Sequence, residues 1–229
     1  HILIALVVMF LFGSSYPIGK IGVSNVSALV FVTMRVGIMT LFLIPFLKLS
    51  TFKSANFKYI IFFTIAMGFI VYPMIYLSLE YSQSTSGIII LMQCSIPIGV
   101  LMSAIFLKEN VSVKRWLVIS VVITGVIIVG FDPIVIKKPV GMLFAIIGGV
   151  GYAVASLFSK YLDKENSLDV NAWMALITFP FMALFMFIVE PNAFSQIQTM
   201  NQTAIFSVIY SGIILSVSYT HLTLPTSFE

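Results

Sequence analysis

Apolar stretches of about 20 residues follow one another along this chain, and most of the charge falls between them. A stretch of that length crosses the roughly 30 Å hydrocarbon core of a bilayer as a helix. The pattern predicts eight spans: Ile2–Val23, Ala28–Leu47, Tyr59–Leu79, Gly87–Leu107, Trp116–Phe131, Val140–Tyr161, Val170–Val189 and Thr203–Tyr219. The fifth is short and ends at Asp132-Pro133. The stretches are continuously apolar, not alternating, and too long for barrel strands. Backbone groups in lipid must bond within their own segment, which leaves helices. The expectation is an all-α integral membrane protein, a multi-span helical bundle.

Composition agrees: 60% of residues are hydrophobic and 9% charged, far less charge than a soluble surface needs. The basic residues then set an orientation. Lys48, Lys53, Lys58, Lys108, Lys114, Arg115, Lys160 and Lys164 follow even-numbered spans, whereas Lys137 and Lys138 alone follow odd ones. By the positive-inside rule the even spans end in the cytoplasm and the N-terminus is cytoplasmic, in a cell inner membrane. The net charge of +4 therefore reads as topology. A clustered basic face with polar and aromatic support, as nucleic acid requires, is missing.

The sixth span echoes the first. Phe12-Gly13-Ser14-Ser15-Tyr16-Pro17-Ile18-Gly19-Lys20 lies on Tyr152-Ala153-Val154-Ala155-Ser156-Leu157-Phe158-Ser159-Lys160 at an offset of 140. Val26 and Ala28 match Val170 and Ala172 at an offset of 144, which Gly68 and Gly212 share. Five spans separate the copies, and an odd number inverts the second copy in the membrane. The expected domains are a first five-helix repeat over 1–131 and a partial, inverted second repeat over 140–215. Inverted repeats of this kind recur in transporters, with substrate near the midplane. The tail is expected to be non-native over 216–229. Val217-Ser218-Tyr219-Thr220-His221-Leu222-Thr223-Leu224-Pro225-Thr226 looks like a reading frame of a transposon-derived sequencing adapter.

Enzyme signatures are absent from the string. His1 and His221 are the only histidines, and no His/Cys/Asp/Glu cluster has metal-ligand spacing. No Ser-His or Cys-His pair can be assembled, and no cofactor motif stands out. The single Cys94 reads as a small buried hydrophobe. None of the acidic residues lies well inside a span, Glu80 coming closest. A coupled carrier usually places an ionisable group in its path, so facilitated diffusion or exchange is favoured.

Two cations fall inside spans. Arg35 sits roughly 12 Å into span 2, where a charge needs a partner or a polar cavity. It reads either as an anchor for a substrate carboxylate or phosphate, or as a structural lock. Lys20 stands near an outer end and can snorkel. Pro17, Pro73, Pro97 and Pro180 interrupt spans and free the carbonyls of Gly13, Phe69, Gln93 and Leu176. The turns around Ser14-Ser15-Tyr16 and Gln93-Cys94-Ser95 are the most polar mid-span runs and candidate cavity lining, or mere packing kinks. Tyr72, Tyr76, Tyr152, Trp173 and Tyr210 are candidates for an aromatic cavity, whereas Trp116, Tyr59 and Tyr161 fit the interfacial belt. The candidate substrate-binding residues are Ser14, Ser15, Tyr16, Arg35, Tyr76, Gln93, Ser95, Tyr152 and Trp173. Gly141, Ala145, Gly149 and Ala153 form a small-residue stripe that permits close helix approach.

Phe12-Gly13-Ser14, Lys20 and Arg35 are similar to the opening of the EamA domain of the drug/metabolite transporter superfamily. Tyr76-Leu77-Ser78-Leu79-Glu80-Tyr81, the run Ser84-Thr85-Ser86-Gly87, Ser95-Ile96-Pro97 and Phe106-Leu107-Lys108-Glu109 resemble that family's serial motifs. Leu79, Lys108 and Phe12 depart from its usual residues. The resemblance implies ten helices in two inverted five-helix repeats, a central cavity, and export or uptake of small metabolites. The function expected is movement of amino-acid-like, sugar-like or amphiphilic solutes by alternating access. The rival is a non-transporting membrane scaffold or sensor on the same repeat; an intramembrane enzyme would need an ionisable cluster that the string lacks. The expected partners are a small-molecule substrate, the lipid bilayer and a second copy in a homodimer, with no nucleic acid.

Overall fold

The protein is described from a computed structural model covering residues 2–108, 111–131 and 133–222. No strand occurs among the described residues; the chain is a bundle of helices. The long elements are α1 (Ile2–Val23), α2 (Ala28–Leu43), α3 (Phe57–Thr64) running through a π-helical segment (Ile65–Val71) into α4 (Tyr72–Tyr81), α5 (Thr85–Met92) with α6 (Ser95–Phe106), and α7 (Val113–Gly130). A short α8 (Pro133–Ile136) precedes α9 (Pro139–Lys160) and α10 (Ser167–Val189), and a short α11 (Ala193–Gln198) precedes α12 (Gln202–Leu222). Among the described residues six helical stretches are long and apolar enough to cross a membrane: 28–46, 57–81, 85–106, 113–130, 139–160 and 167–189. The described apolar part of α12, Gln202–Ile214, is shorter. The last residues of the tail lie outside the described residues.

Local chemistry sets the helix starts. Ser27 accepts from the Val30 amide, Ser84 from Gly87, Ser112 from Arg115, and Asn166 from Leu168 and Asp169. Each cap meets amides that have no intrahelical acceptor.

Two of the four interior prolines change the helix. The π-helical segment ends at Val71, two residues before Pro73, and the Tyr72 amide reaches the Met67 carbonyl, five residues back. A wider turn accommodates a ring that would clash with the carbonyl four residues before it. In the fourth span the helix breaks at Gln93-Cys94, one turn before Pro97. The Gln93 carbonyl, which Pro97 cannot serve, accepts instead from Ile96 at 3.0 Å. α1 and α10 run through Pro17 and Pro180 without interruption, and both prolines are exposed.

The loops gather at two ends. At one, Lys20 Nζ donates to the Leu79 and Ser82 carbonyls, the Ala28 amide to Glu80 (3.0 Å), the Ser27 amide to Gln196 (2.8 Å), and Asn201 to Asn25 (2.6 Å). At the other, Asp169 accepts from the Lys48 amide and the Thr51 hydroxyl, Trp173 Nε1 donates to the Lys48 carbonyl, and Asn56 donates to Glu165. Between the ends, α1 packs on α12, α2 on α10 and on α12, and the π-segment and α4 on α9. The main core runs through α2, α4, α5, α9 and α10. Outward faces are apolar: on α7 only Ile119 is buried, and Leu117, Val121 and Ile128 are exposed, as lipid contact requires.

Candidate functional site

The most polar place in the middle of the bundle is built around Arg35 of α2. Its side chain is 2% exposed. The guanidinium lies 4.3 Å from the centroid of the Tyr72 ring and 5.5 Å from that of Tyr76, both on α4. Its Nε donates to the Ser211 carbonyl of α12 at 3.2 Å. Aromatic faces and a carbonyl are what a buried cation needs in the absence of water. One residue thereby joins three helices.

Hydroxyl groups surround this cation. Tyr16 of α1 lies within electrostatic range of Tyr152, Tyr76 and Arg35, and Tyr72 within range of Arg35, Tyr76 and Tyr152. The Tyr72 Oη stands beside the Arg35 guanidinium and the Ser211 Oγ beside the Tyr76 hydroxyl, neither in standard hydrogen-bond geometry, and Thr178 Oγ1 of α10 is buried without a partner. Such groups leave desolvated polarity in the core. Ser14 Oγ donates to the Leu11 carbonyl and shares a 2.7 Å hydrogen bond with Tyr210 Oη of α12. Ser15 is buried on the same turn.

The π-segment positions this cluster. It carries Gly68 against Thr178 of α10, with no room for a Cβ. Gly212 makes the matching approach: a Cβ there would stand 3.0 Å from the Arg35 carbonyl and 2.9 Å from Ile38. α12 and α2 therefore meet at backbone distance beside Arg35, and the π-segment that leads into α4 closes on the Thr178 side chain of α10.

Of the residues singled out from the sequence, Arg35, Tyr76, Tyr16 and Tyr152 come together here, with Ser14 and Ser15 on the adjoining turn of α1. Gln93 is exposed and Ser95 half-buried at the α5–α6 break, where Cys94 packs on Gly149 of α9. Trp173 belongs to a separate cluster with Ile60, Leu162 and Val170 near the Lys48 loop. Tyr59 and Tyr161 stack at 4.7 Å with Lys58 over the Tyr59 ring, in keeping with an interfacial belt. Ser211 was not singled out from the string. Its one signal is adjacency to Gly212, whose offset partner is Gly68.

Among the described residues no group of three His, Cys, Asp or Glu side chains comes together to hold a metal. The fold and the buried cationic cluster define a multi-span helical membrane protein. Residues 1–131, more than half the chain, match the EamA-like transporter family, and the chain belongs to that family. No curated protein and no solved structure gives a match.

Proposed function

We propose that the protein carries a small amphipathic metabolite across a cytoplasmic membrane by alternating access, as an exporter or facilitator, with its N-terminus in the cytoplasm. The class, a membrane transporter-like protein, follows from the family. The observation that carries the finer reading is the cluster of Arg35, Tyr72, Tyr76 and Ser211, a donor-rich cation site inside an apolar bundle. A guanidinium flanked by hydroxyls recognises a carboxylate or another oxyanion, and the ring faces accept the apolar part of the solute. Amino-acid-like solutes fit that pair of demands best.

We read the chain as two inverted repeats, 1–131 and 140–215. Reciprocal packing supports this: α1 meets α12 as α9 meets α4, and α2 meets α10. Gly68 against Thr178, and Gly212 against the Arg35 and Ile38 turn, form a second reciprocal pair. Two halves related in this way can rock about a central site.

The rival reading is a scaffold or sensor. It draws on how tightly the cluster is closed, with Arg35 and Tyr72 each 2% exposed. Reconstitution separates the two. Vesicles containing the purified chain are expected to exchange one or more radiolabelled amino acids from a mixed panel above the rate of protein-free vesicles. Arg35→Lys keeps the charge and loses the flat fork, and is expected to lower that flux by about tenfold. Absence of flux for every amino acid and sugar tested would leave the scaffold reading standing.

A further inference from the structure

We propose that the cleft between α4 and α10 binds an amphiphilic amine, a single apolar chain ending in a protonated amino group, with its ammonium at Glu190. The site lies apart from the Arg35 cluster and does not rest on the transport reading. The cleft encloses about 620 Å³, within the roughly 300–1,000 Å³ typical of built ligand sites. Phe69 and Leu77 wall it on one side, Phe181, Phe185 and Val189 on the other. The Phe69 and Phe181 rings meet edge to face at 5.9 Å and close the end remote from the carboxylates. Phe181 is 58% exposed and Phe185 50%. Both lie on a membrane-length helix, so an apolar chain can enter sideways from the lipid. From Phe181 to Glu190 the helix rises about 14 Å. An extended chain of about ten carbons covers that distance.

The polar end of the cleft has one negative charge left over. Glu80 and Glu190 both line it, are half-buried, and stand close enough to repel one another. Glu80 is already served: its carboxylate accepts from the Ala28 amide at 3.0 Å and has the Lys20 ammonium beside it. Glu190 has no such relief, because its carboxylate makes no hydrogen bond and no ion pair among the described residues. None of the described residues that line the cleft is cationic. Lys20 and Lys138 line a separate recess that shares Glu80 and Tyr81 with it. An uncompensated carboxylate at the rim of a low-dielectric groove is relieved by a cation placed beside it. A small hydrated ion would gain nothing from the aromatic and aliphatic walls. An alkyl- or arylalkylamine has both parts in the order the cleft presents them, an apolar body and then one terminal positive charge. Its ammonium donates a charge-assisted hydrogen bond to Glu190, and the rings cover its chain.

Scintillation-proximity binding of tritiated decylamine to the purified full chain in detergent tests this, with unlabelled decylamine, decanol and decanoate as competitors. Decylamine is expected to displace the label at a concentration about tenfold below that of decanol, as one charge-assisted contact provides. Decanoate, which brings a carboxylate to Glu190, should compete more weakly than decanol. Glu190→Gln should bring decylamine to parity with decanol, and Phe185→Trp, which narrows the groove, should weaken both. The Glu190→Gln protein also serves as the control for uptake of the amine by the micelle. Circular dichroism checks that each variant is folded; if Glu190→Gln is not, the decylamine-to-decanol ratio of the unaltered protein and the response to Phe185→Trp decide. Equal competition by decylamine and decanol on the unaltered protein would overturn the proposal. So would a preference for the amine that survives Glu190→Gln in a folded protein, or a decylamine affinity untouched by Phe185→Trp, which would put the amine outside the cleft.

Discussion

At the scale of single residues, the buried hydroxyl of Tyr72 distinguishes a structural role from a solute-binding one. Its ring supports Arg35 at 4.3 Å, and its Oη, although beside the guanidinium, completes no hydrogen bond of standard geometry. An unsatisfied buried hydroxyl contributes nothing to stability, and its removal is neutral or favourable by up to about 1–2 kcal/mol. Tyr72→Phe keeps the ring and so keeps the cation–π contact. The expected outcome is an unchanged or higher unfolding midpoint in detergent, together with reduced solute flux. A lower midpoint would show that the hydroxyl is bonded in the folded protein; unchanged flux would remove Tyr72 from the solute path. Arg35 itself was legible in the string, because a cation deep in a span must have a reason. Its partners were legible only in part. Tyr76 and Tyr72 lie four residues apart on one helix, a spacing that sequence reveals, whereas Ser211 reaches Arg35 through packing of two helices 176 residues apart in the chain. Trp173 carried the same aromatic signal as the tyrosines and ended near the Lys48 loop, because depth along a span is not encoded in residue type.

At the scale of elements, the small-residue stripe of α9 shows what periodicity can and cannot deliver. Gly141, Ala145, Gly149 and Ala153 were expected to admit a neighbouring helix, and each faces one. A Cβ on Gly141 would stand 3.2 Å from the Ser82 amide nitrogen; Ala145 is fully buried; Ala153 lies opposite Gly99 of α6. Gly149 is the tightest, with its Cβ position 2.9 Å from the Met92 carbonyl and 2.5 Å from Cys94 Sγ. That carbonyl sits at the α5–α6 break and cannot swing aside as a flexible side chain would. Gly149→Val is therefore expected to destabilise by about 1–3 kcal/mol through overpacking, read as a fall in the unfolding midpoint, whereas Gly125→Ala on α7, with open space around it, should be close to neutral. A Gly149→Val protein as stable as its parent would mean that α9 and the break are not in contact. The π-segment at Ile65–Val71 was not legible. A 3.6-residue repeat does not report one extra residue per turn, and Pro73 signals a disturbed helix without saying whether it will kink, break or widen. Pro97 carried an identical signal and was resolved by a break, with its orphaned carbonyl taken up by Ile96.

At the scale of the whole molecule, charge and geometry supply two separate views of one topology. The sequence assigns eight basic residues to one side and two to the other by counting spans. The structure groups the loops without reference to charge. Asn25 bonds Asn201, the Ser27 amide bonds Gln196, and Lys20, Glu80, Ser82 and Lys138 share one recess, so the turns after the odd-numbered spans lie together. Asp169 ties down the Lys48–Thr51 turn and Asn56 meets Glu165, which brings the second and sixth turns to the opposite end. The basic majority falls at that second end, which the proposed orientation, resting on the positive-inside rule, puts in the cytoplasm. Cysteine accessibility tests both halves of this statement. The chain has one cysteine, Cys94, so Cys94→Ser gives a background without thiols. Gln83→Cys and Lys137→Cys, at exposed positions of one end, are expected to react with a membrane-impermeant maleimide in intact cells. Lys53→Cys and Lys114→Cys, exposed at the other, should react only after permeabilisation. The reverse pattern would keep the bundle and invert its orientation, which the basic residues oppose at a level of about 1 kcal/mol per charge near an anionic leaflet. Disagreement within either pair would be more damaging. It would place two turns on opposite sides of the membrane that the span count requires on one side, and neither the alternation of spans nor an inverted second repeat would then survive.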